Sequence, residues 1–165
     1  MAAARLGWPS VEVWCRIGDD SAGEQYAADM AAEGVRVDSA RVVAGGRTAV
    51  STILVDPDGE RLVVPYYDPA LDPSPDWLPL ERLRSCGCLL CDVRWPAGAV
   101  AALGAAAAAG VPTVLDADTA PQSVLKQLVP LATYPIFSLP ALLAFTGMAE
   151  PGHPSQRPDS QCCRS

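Results

Sequence analysis

Residues 48–64, TAVSTILVDPDGERLVV, decide how this chain is read. The first eight are rich in β-branched residues, Asp56-Pro57-Asp58-Gly59 is turn chemistry, and residues 61–64 return to apolar β-formers. The pattern predicts an antiparallel hairpin closed by a four-residue turn. Upstream, residues 11–15 alternate apolar and polar in the manner of a strand. Gly18 then opens a turn, and Asp19, Asp20 and Ser21 are residues that start helices. A helix is expected over residues 22–33, with Tyr26 and Met30 on one side and Gly34 as its stop. Downstream, residues 68–79 carry Pro69, Pro73, Pro75 and Pro79 and predict an irregular connection.

Beyond residue 80 the rhythm changes. Strands are predicted at 88–93, 113–115 and 134–137, each followed by a helix, at 97–109, 122–129 and 139–145. Strands alternating with helices on short connections imply a parallel, doubly wound α/β sheet. The expected organisation is one α/β domain over residues 1–149 with the hairpin inserted at about 41–67, and a disordered tail at 150–165 rich in Pro, Ser and Gln.

Half of the 165 residues are hydrophobic, enough for a core. Nineteen acidic against twelve basic residues give a net charge of −7, which repels phosphate backbones and anionic lipid, so no nucleic-acid partner is expected. The alanine-rich run at 97–109 is short and broken by Gly98 and Gly104, so no membrane span is expected, and residues 1–5 do not resemble a secretory signal. A cytoplasmic protein is the expectation.

Cys86, Cys88 and Cys91 form a C-x-C-x-x-C cluster. On a strand, Cys86 and Cys88 would share one face and Cys91 the other, so the thiolates would not converge, and the cluster is read as small buried hydrophobes with no metal site. Cys162 and Cys163 are read as incidental free thiols, and His153 as non-functional.

The ordered elements carry a family resemblance. ARLGWPSVEVWCRIGDDSAG (residues 4–23) resembles an A-x-L-G followed by a strand ending in G-x-D-x-x-G. AAEGVRVDSARVVAGGRTAVSTILVDPDGER (31–61) resembles an L-x-x-x-G-V, then a Thr-containing lid strand, then G-x-R. VPTVLDADTAP (111–121) and YPIFSLPALLAFTG (134–147) resemble a core strand with an acidic end and the segment before an L-T-G. Together, over residues 4–147, the chain resembles the PfkB (ribokinase-like) carbohydrate kinases. F-S-x-P at 137–140 and the lid wording point to the sulfofructose-kinase-like branch.

The resemblance implies a partial ribokinase-like doubly wound parallel sheet with an inserted β-hairpin lid that covers a sugar. It implies ATP and Mg2+ as the parent family's cofactors, and a sugar or sugar derivative as substrate. It places Asp19, Arg47, Thr48 and Arg61 in or beside the lid, and Asp116 and Asp118 at a strand's carboxyl end, where such sheets bind ligands. Each has a plainer reading: Asp19 as helix cap, Arg47 as a hairpin-edge charge, Thr48 as β-former, Arg61 as surface charge, and the two aspartates as caps.

The catalytic parts of the family are expected to be missing. This stretch contains no G-A-G-D, the motif that supplies base and phosphate cradle. The family's N-x-x-E is replaced at Ser138 and Ala141, and its first strand and sugar loop would precede Ala4. No catalytic residue is therefore named, and neither ATP nor Mg2+ is expected to bind well. The expectation is a kinase fragment truncated at both ends, inactive by itself and without an independent role. The alternatives are a sugar-binding module or a subunit that pairs, as a homodimer, through its lid sheet.

Overall fold

The computed structural model describes residues 1–71 and 73–148, so the tail expected at 150–165, with His153, Cys162 and Cys163, lies outside the described residues. The chain divides into two compact units, the first Met1–Pro79 and the second from Leu80 onward.

In the first unit a short helix α1 (Ala2–Arg5) precedes strand β1 (Val11–Glu12), and Arg5 is ion-paired with Glu33. The single strand expected at 11–15 is two: β1 stops at Glu12, and β2 runs Cys15–Gly18. Helix α2 (Ser21–Ala32) follows, and Gly34 leaves it at φ +76°, a left-handed conformation that costs glycine little. Strands β3 (Val35–Arg36) and β4 (Ala40–Val43) then pair in parallel with β1 and β2 respectively, Cys15 opposite Ala40 and Gly18 opposite Val43. Helix α2 is thus the crossover of a parallel unit, as its length allows.

The hairpin is present as strands β5 (Val50–Val55) and β6 (Arg61–Tyr66), antiparallel, with Val50 opposite Tyr66 and Val55 opposite Arg61. The connection has five residues, not four. Asp56 Oδ1 accepts from the N–H groups of Asp58 and Glu60, both at 2.9 Å, and Asp56 N donates to the Glu60 carbonyl, which closes the loop. All twelve ladder residues are exposed. The described residues of 68–79 form no helix or strand, as their prolines dictate.

The second unit opens with a 3-10 turn (Leu80–Ser85) and continues as β7 (Leu89–Asp92), α3 (Pro96–Ala108), β8 (Thr113–Ala117), α4 (Gln122–Leu128), β9 (Tyr134–Phe137) and α5 (Leu139–Thr146). The three strands form one parallel sheet in the order β7-β8-β9, with Leu90 opposite Val114 and Val114 opposite Tyr134. Leu103 of α3, Leu115 and Ala117 of β8, Leu125 and Leu128 of α4 and Ala141 of α5 form one buried cluster with Val93 and Ala99. Thr113, the buried polar residue of β8, is satisfied by Thr133, each backbone N–H donating to the other's hydroxyl. The opposite face of the sheet is open, with Leu90 70% and Ile136 60% exposed.

The cysteine expectation needs correcting. The strand begins at Leu89, so Cys86 and Cys88 precede it and are exposed, while Cys91 packs against the core with its thiol pushed up to about 12 by burial. Among the described residues no three His, Cys, Asp or Glu side chains group as metal ligands, and no helix is long and apolar enough to cross a membrane.

Candidate functional site

The polar residues of the first unit meet where β2 ends, α2 begins and the chain enters the hairpin. Asp20, not Asp19, caps α2: its Oδ1 accepts from Gly23 N at 2.9 Å. The same carboxylate reaches across the sequence. Thr48 Oγ1 donates to Asp20 Oδ1 at 2.6 Å, Thr48 N donates to Asp20 Oδ2 at 2.9 Å, and Gly18 N donates to Thr48 Oγ1 at 2.9 Å. Thr48 is therefore a loop residue whose hydroxyl has spent its proton and one lone pair on this joint, leaving one acceptor site for any ligand.

The approach is close enough to demand glycine. A Cβ on Gly18 would stand 2.3 Å from the Gly46 carbonyl oxygen, and one on Gly23 would stand 2.5 Å from the Gly18 carbonyl oxygen. The G-x-D-x-x-G resemblance at residues 18–23 thus acquires a physical reason: two close backbone approaches around one capping carboxylate.

Asp19, exposed, accepts from Gly45 N at 2.9 Å through Oδ1. Arg47 is exposed, and its backbone N–H donates to Asp68 Oδ2 at 2.5 Å, while Asp68 Oδ1 accepts from Ala70 N at 2.9 Å. Arg61 lies at the far end of the hairpin, opposite Val55, where Leu54, Asp56 and Glu60 line a shallow groove with it. Asp19, Arg47 and Thr48 are thus gathered at the root of the ribbon, and Arg61 is not among them.

In the second unit Asp116 is exposed on the open face of the sheet, in register between Asp92 and Ile136. Asp118 follows β8 and pairs with Arg94, whose Nη2 donates to Oδ2 at 3.0 Å while Nη1 donates to the Thr119 carbonyl at 3.0 Å. The Asp118 carboxyl is held below its ordinary range first by the Thr119 N–H, then by the nearby Ser138 hydroxyl, then by Arg94. Ser138 Oγ is itself buried without a full hydrogen bond.

The helices that follow these strands make poor phosphate cradles. Pro96 sits in the first turn of α3, Pro121 is the N-cap of α4 and Pro140 sits in the first turn of α5. A proline offers no N–H to an anion.

Three carboxylates of the first unit are held below their ordinary range, Glu33 chiefly by its bond to Arg5. Asp20 is lowered chiefly by the Thr48 hydroxyl, then by the N–H groups of Thr48 and Gly23; Asp68 is lowered by the N–H groups of Ala70 and Arg47. A carboxylate whose folded pKa lies below its unfolded value adds stability above the unfolded pKa and loses it as pH falls towards the folded one. The first unit is expected to destabilise progressively as pH drops below about 5, and Asp20→Asn to flatten that dependence. Thermal midpoints of both proteins from neutral pH downward test this; a wild-type midpoint unmoved through the carboxylate range refutes it.

Parallel strands joined by a helical crossover, with an exposed hairpin inserted after them, make up part of a ribokinase-like α/β fold. The match to the pfkB carbohydrate kinase family spans residues 1–157, and the chain belongs to that family. It is 36% identical over 87 residues to a fructokinase of Solanum tuberosum, covering 52% of this chain and 27% of that protein. A solved protein of Agrobacterium tumefaciens assigned as a ribokinase shares 39% identity at a TM-score of 0.77, covering 83% of this chain and 45% of its own. Arabidopsis thaliana ribokinase complexed with ribose and ATP shares the fold at 22% identity and a TM-score of 0.69, covering 88% of this chain and 48% of its own. The chain thus spans about half the length of these structures and about a quarter of the fructokinase.

Sequence reasoning missed Asp20 and Asp68. Asp20 had a signal, because the quoted G-x-D-x-x-G places its Asp at 20; Asp68 had none, since its partner lies 21 residues away.

Proposed function

We propose that this stretch is the sugar-side portion of an ATP-dependent carbohydrate kinase acting on a ketose, and that alone it transfers no phosphate. The observation that carries the reading is the exposed hairpin rooted on Arg47 and Thr48 beside Asp19, which sets a cation, a hydroxyl acceptor and a carboxylate at the base of a lid. The likeness to fructokinase supports a ketose, and the exposed Arg47 guanidinium suits an acidic derivative such as a sulfosugar. Asp19 and Arg47 are the residues of this unit placed to meet hydroxyls or an anionic group, with Thr48 offering its remaining acceptor site. Arg61 is placed on the ribbon's outer end. Asp116 and Asp118 are the second unit's candidates, Asp118 bound through Arg94 and Asp116 open.

A homodimer through the lid is the second reading, favoured by the ribbon itself: Val50, Ile53, Leu54, Leu62, Val63 and Val64 are each more than half exposed. An apolar two-stranded ribbon with free edges gains most by pairing with its own copy.

Calorimetry with fructose, ribose and sulfofructose, alongside a coupled ADP-release assay with ATP and magnesium, tests the proposal. The expected result is no ADP release and weak ketose binding that Arg47→Ala lowers several-fold. ADP release by this stretch alone overturns the inactivity, and absence of binding to every sugar overturns the sugar-side reading. The mass in solution of the same sample decides the pairing: a monomer at all concentrations rejects it.

A further inference from the structure

Because every residue of the β5–β6 ladder is exposed, burial does not fix the direction in which the ribbon points. That task falls to its root. The incoming chain is held by three hydrogen bonds, Gly18 N to Thr48 Oγ1, Thr48 N to Asp20 Oδ2 and Thr48 Oγ1 to Asp20 Oδ1, while Asp20 also accepts from Gly23 N. The outgoing chain is held by Asp68, which receives Arg47 N, the residue beside Thr48, and Ala70 N. The first rung of the ladder is Val50 opposite Tyr66. Only Ala49 separates that rung from Thr48, and only Tyr67 separates it from Asp68; both are exposed.

We propose that Asp20, Thr48 and Asp68 are positioning residues that clamp the root of the lid, so that the ribbon keeps one direction relative to the start of α2. Its functional meaning rests on the reading of the hairpin as the sugar lid. Asp20 acts through Thr48: both of its oxygens are engaged by the protein, and it also caps α2. The clamp therefore ties the lid's direction to the start of α2. Asp68 closes the loop from the other side, so that neither strand of the ribbon can shift without its partner.

The test is backbone amide exchange on the full chain at neutral pH, for wild type, Asp20→Asn, Thr48→Val and Thr48→Ser, with ketose binding measured beside it. Asparagine keeps one acceptor but turns an NH2 towards donors, valine keeps the shape of threonine without its hydroxyl, and serine keeps the hydroxyl. In the Asn and Val variants, the amides of Gly18, Arg47 and Thr48 are expected to exchange about tenfold faster or more. The ladder amides, relative to wild type, are expected to stay within about twofold, because the ribbon remains intact while its root is released. Thr48→Ser is expected to match wild type in exchange and in ketose affinity, whereas the other two lose affinity. Unchanged root amides in the Asn and Val variants overturn the clamp. So does a rise shared by root and ladder, which marks simple unfolding, and so does a Ser variant that behaves like Val. If wild type binds no ketose, the lid reading falls while the exchange data still decide the clamp.

Discussion

Leu103→Ala is expected to lower the unfolding free energy of the second unit by about 3–5 kcal/mol, enough to leave it largely unfolded at ordinary temperatures. Leu103 is fully buried in α3 and belongs to the cluster formed by Leu115, Leu125, Leu128 and Ala141. The buried neighbours on α3, Ala99, Ala102 and Ala106, fill little volume, and Val100 is the one larger apolar side chain beside them, so the helix has little to close over the space left by three lost carbons. Cavity cost adds to transfer cost at such a position. A urea melt followed by far-UV circular dichroism gives the measurement, and a midpoint unchanged from wild type would mean that α3 does not carry this core.

The legibility of the second unit in the sequence follows from the same packing. Its strands are short apolar runs and its helices are broken from them by Gly110, Pro112, Pro121 and Pro140, so the period changes coincide with residues that enforce them. The first unit was read less well for a physical reason. Segment 35–43 holds Arg36, Asp38 and Arg41 among its valines, and β3 is only two residues long, so its strands owe their place to partners in β1 and β2 and not to local propensity. The break between β1 and β2 was invisible for the same reason.

The site was half legible. Asp19-Asp20 offers two adjacent caps, and local rules do not choose between them; the choice is made by the return of Thr48 to within 2.6 Å of Asp20, 28 residues later. Arg47 and Thr48 were found through the family likeness, and their backbone groups prove to be anchored while the Arg47 side chain is exposed. Arg61 was placed with them by likeness alone, but the ladder puts it at the opposite end of the ribbon. Asp116 and Asp118 stand at the carboxyl end of β8, where doubly wound sheets bind ligands, but Asp118 is drawn into an ion pair with Arg94 and Asp116 is left on the open face.

A single methyl group discriminates between the two units most sharply. Gly18→Ala is expected to cost the first unit about 3 kcal/mol, the sum of overpacking and of hydrogen bonds lost at the joint. The added Cβ would lie 2.3 Å from the Gly46 carbonyl oxygen and 2.7 Å from Thr48 N. These are backbone atoms and cannot rotate away, so the strand β2 and the hairpin root must separate, breaking the bond from Gly18 N to Thr48 Oγ1. The first unit has little core to resist: Ile17 and Val35 are its deeply buried β-strand side chains. Gly104→Ala makes the same chemical change in α3, where a Cβ meets nothing within 4 Å, and there the better helix propensity of alanine is expected to stabilise by about 0.5–1 kcal/mol. Opposite signs from one substitution separate steric demand from backbone entropy, since entropy alone would make both alanines stabilising. Melting curves of the two variants decide it, and a Gly18→Ala protein as stable as wild type would mean that β2 and the hairpin root do not approach this closely in solution.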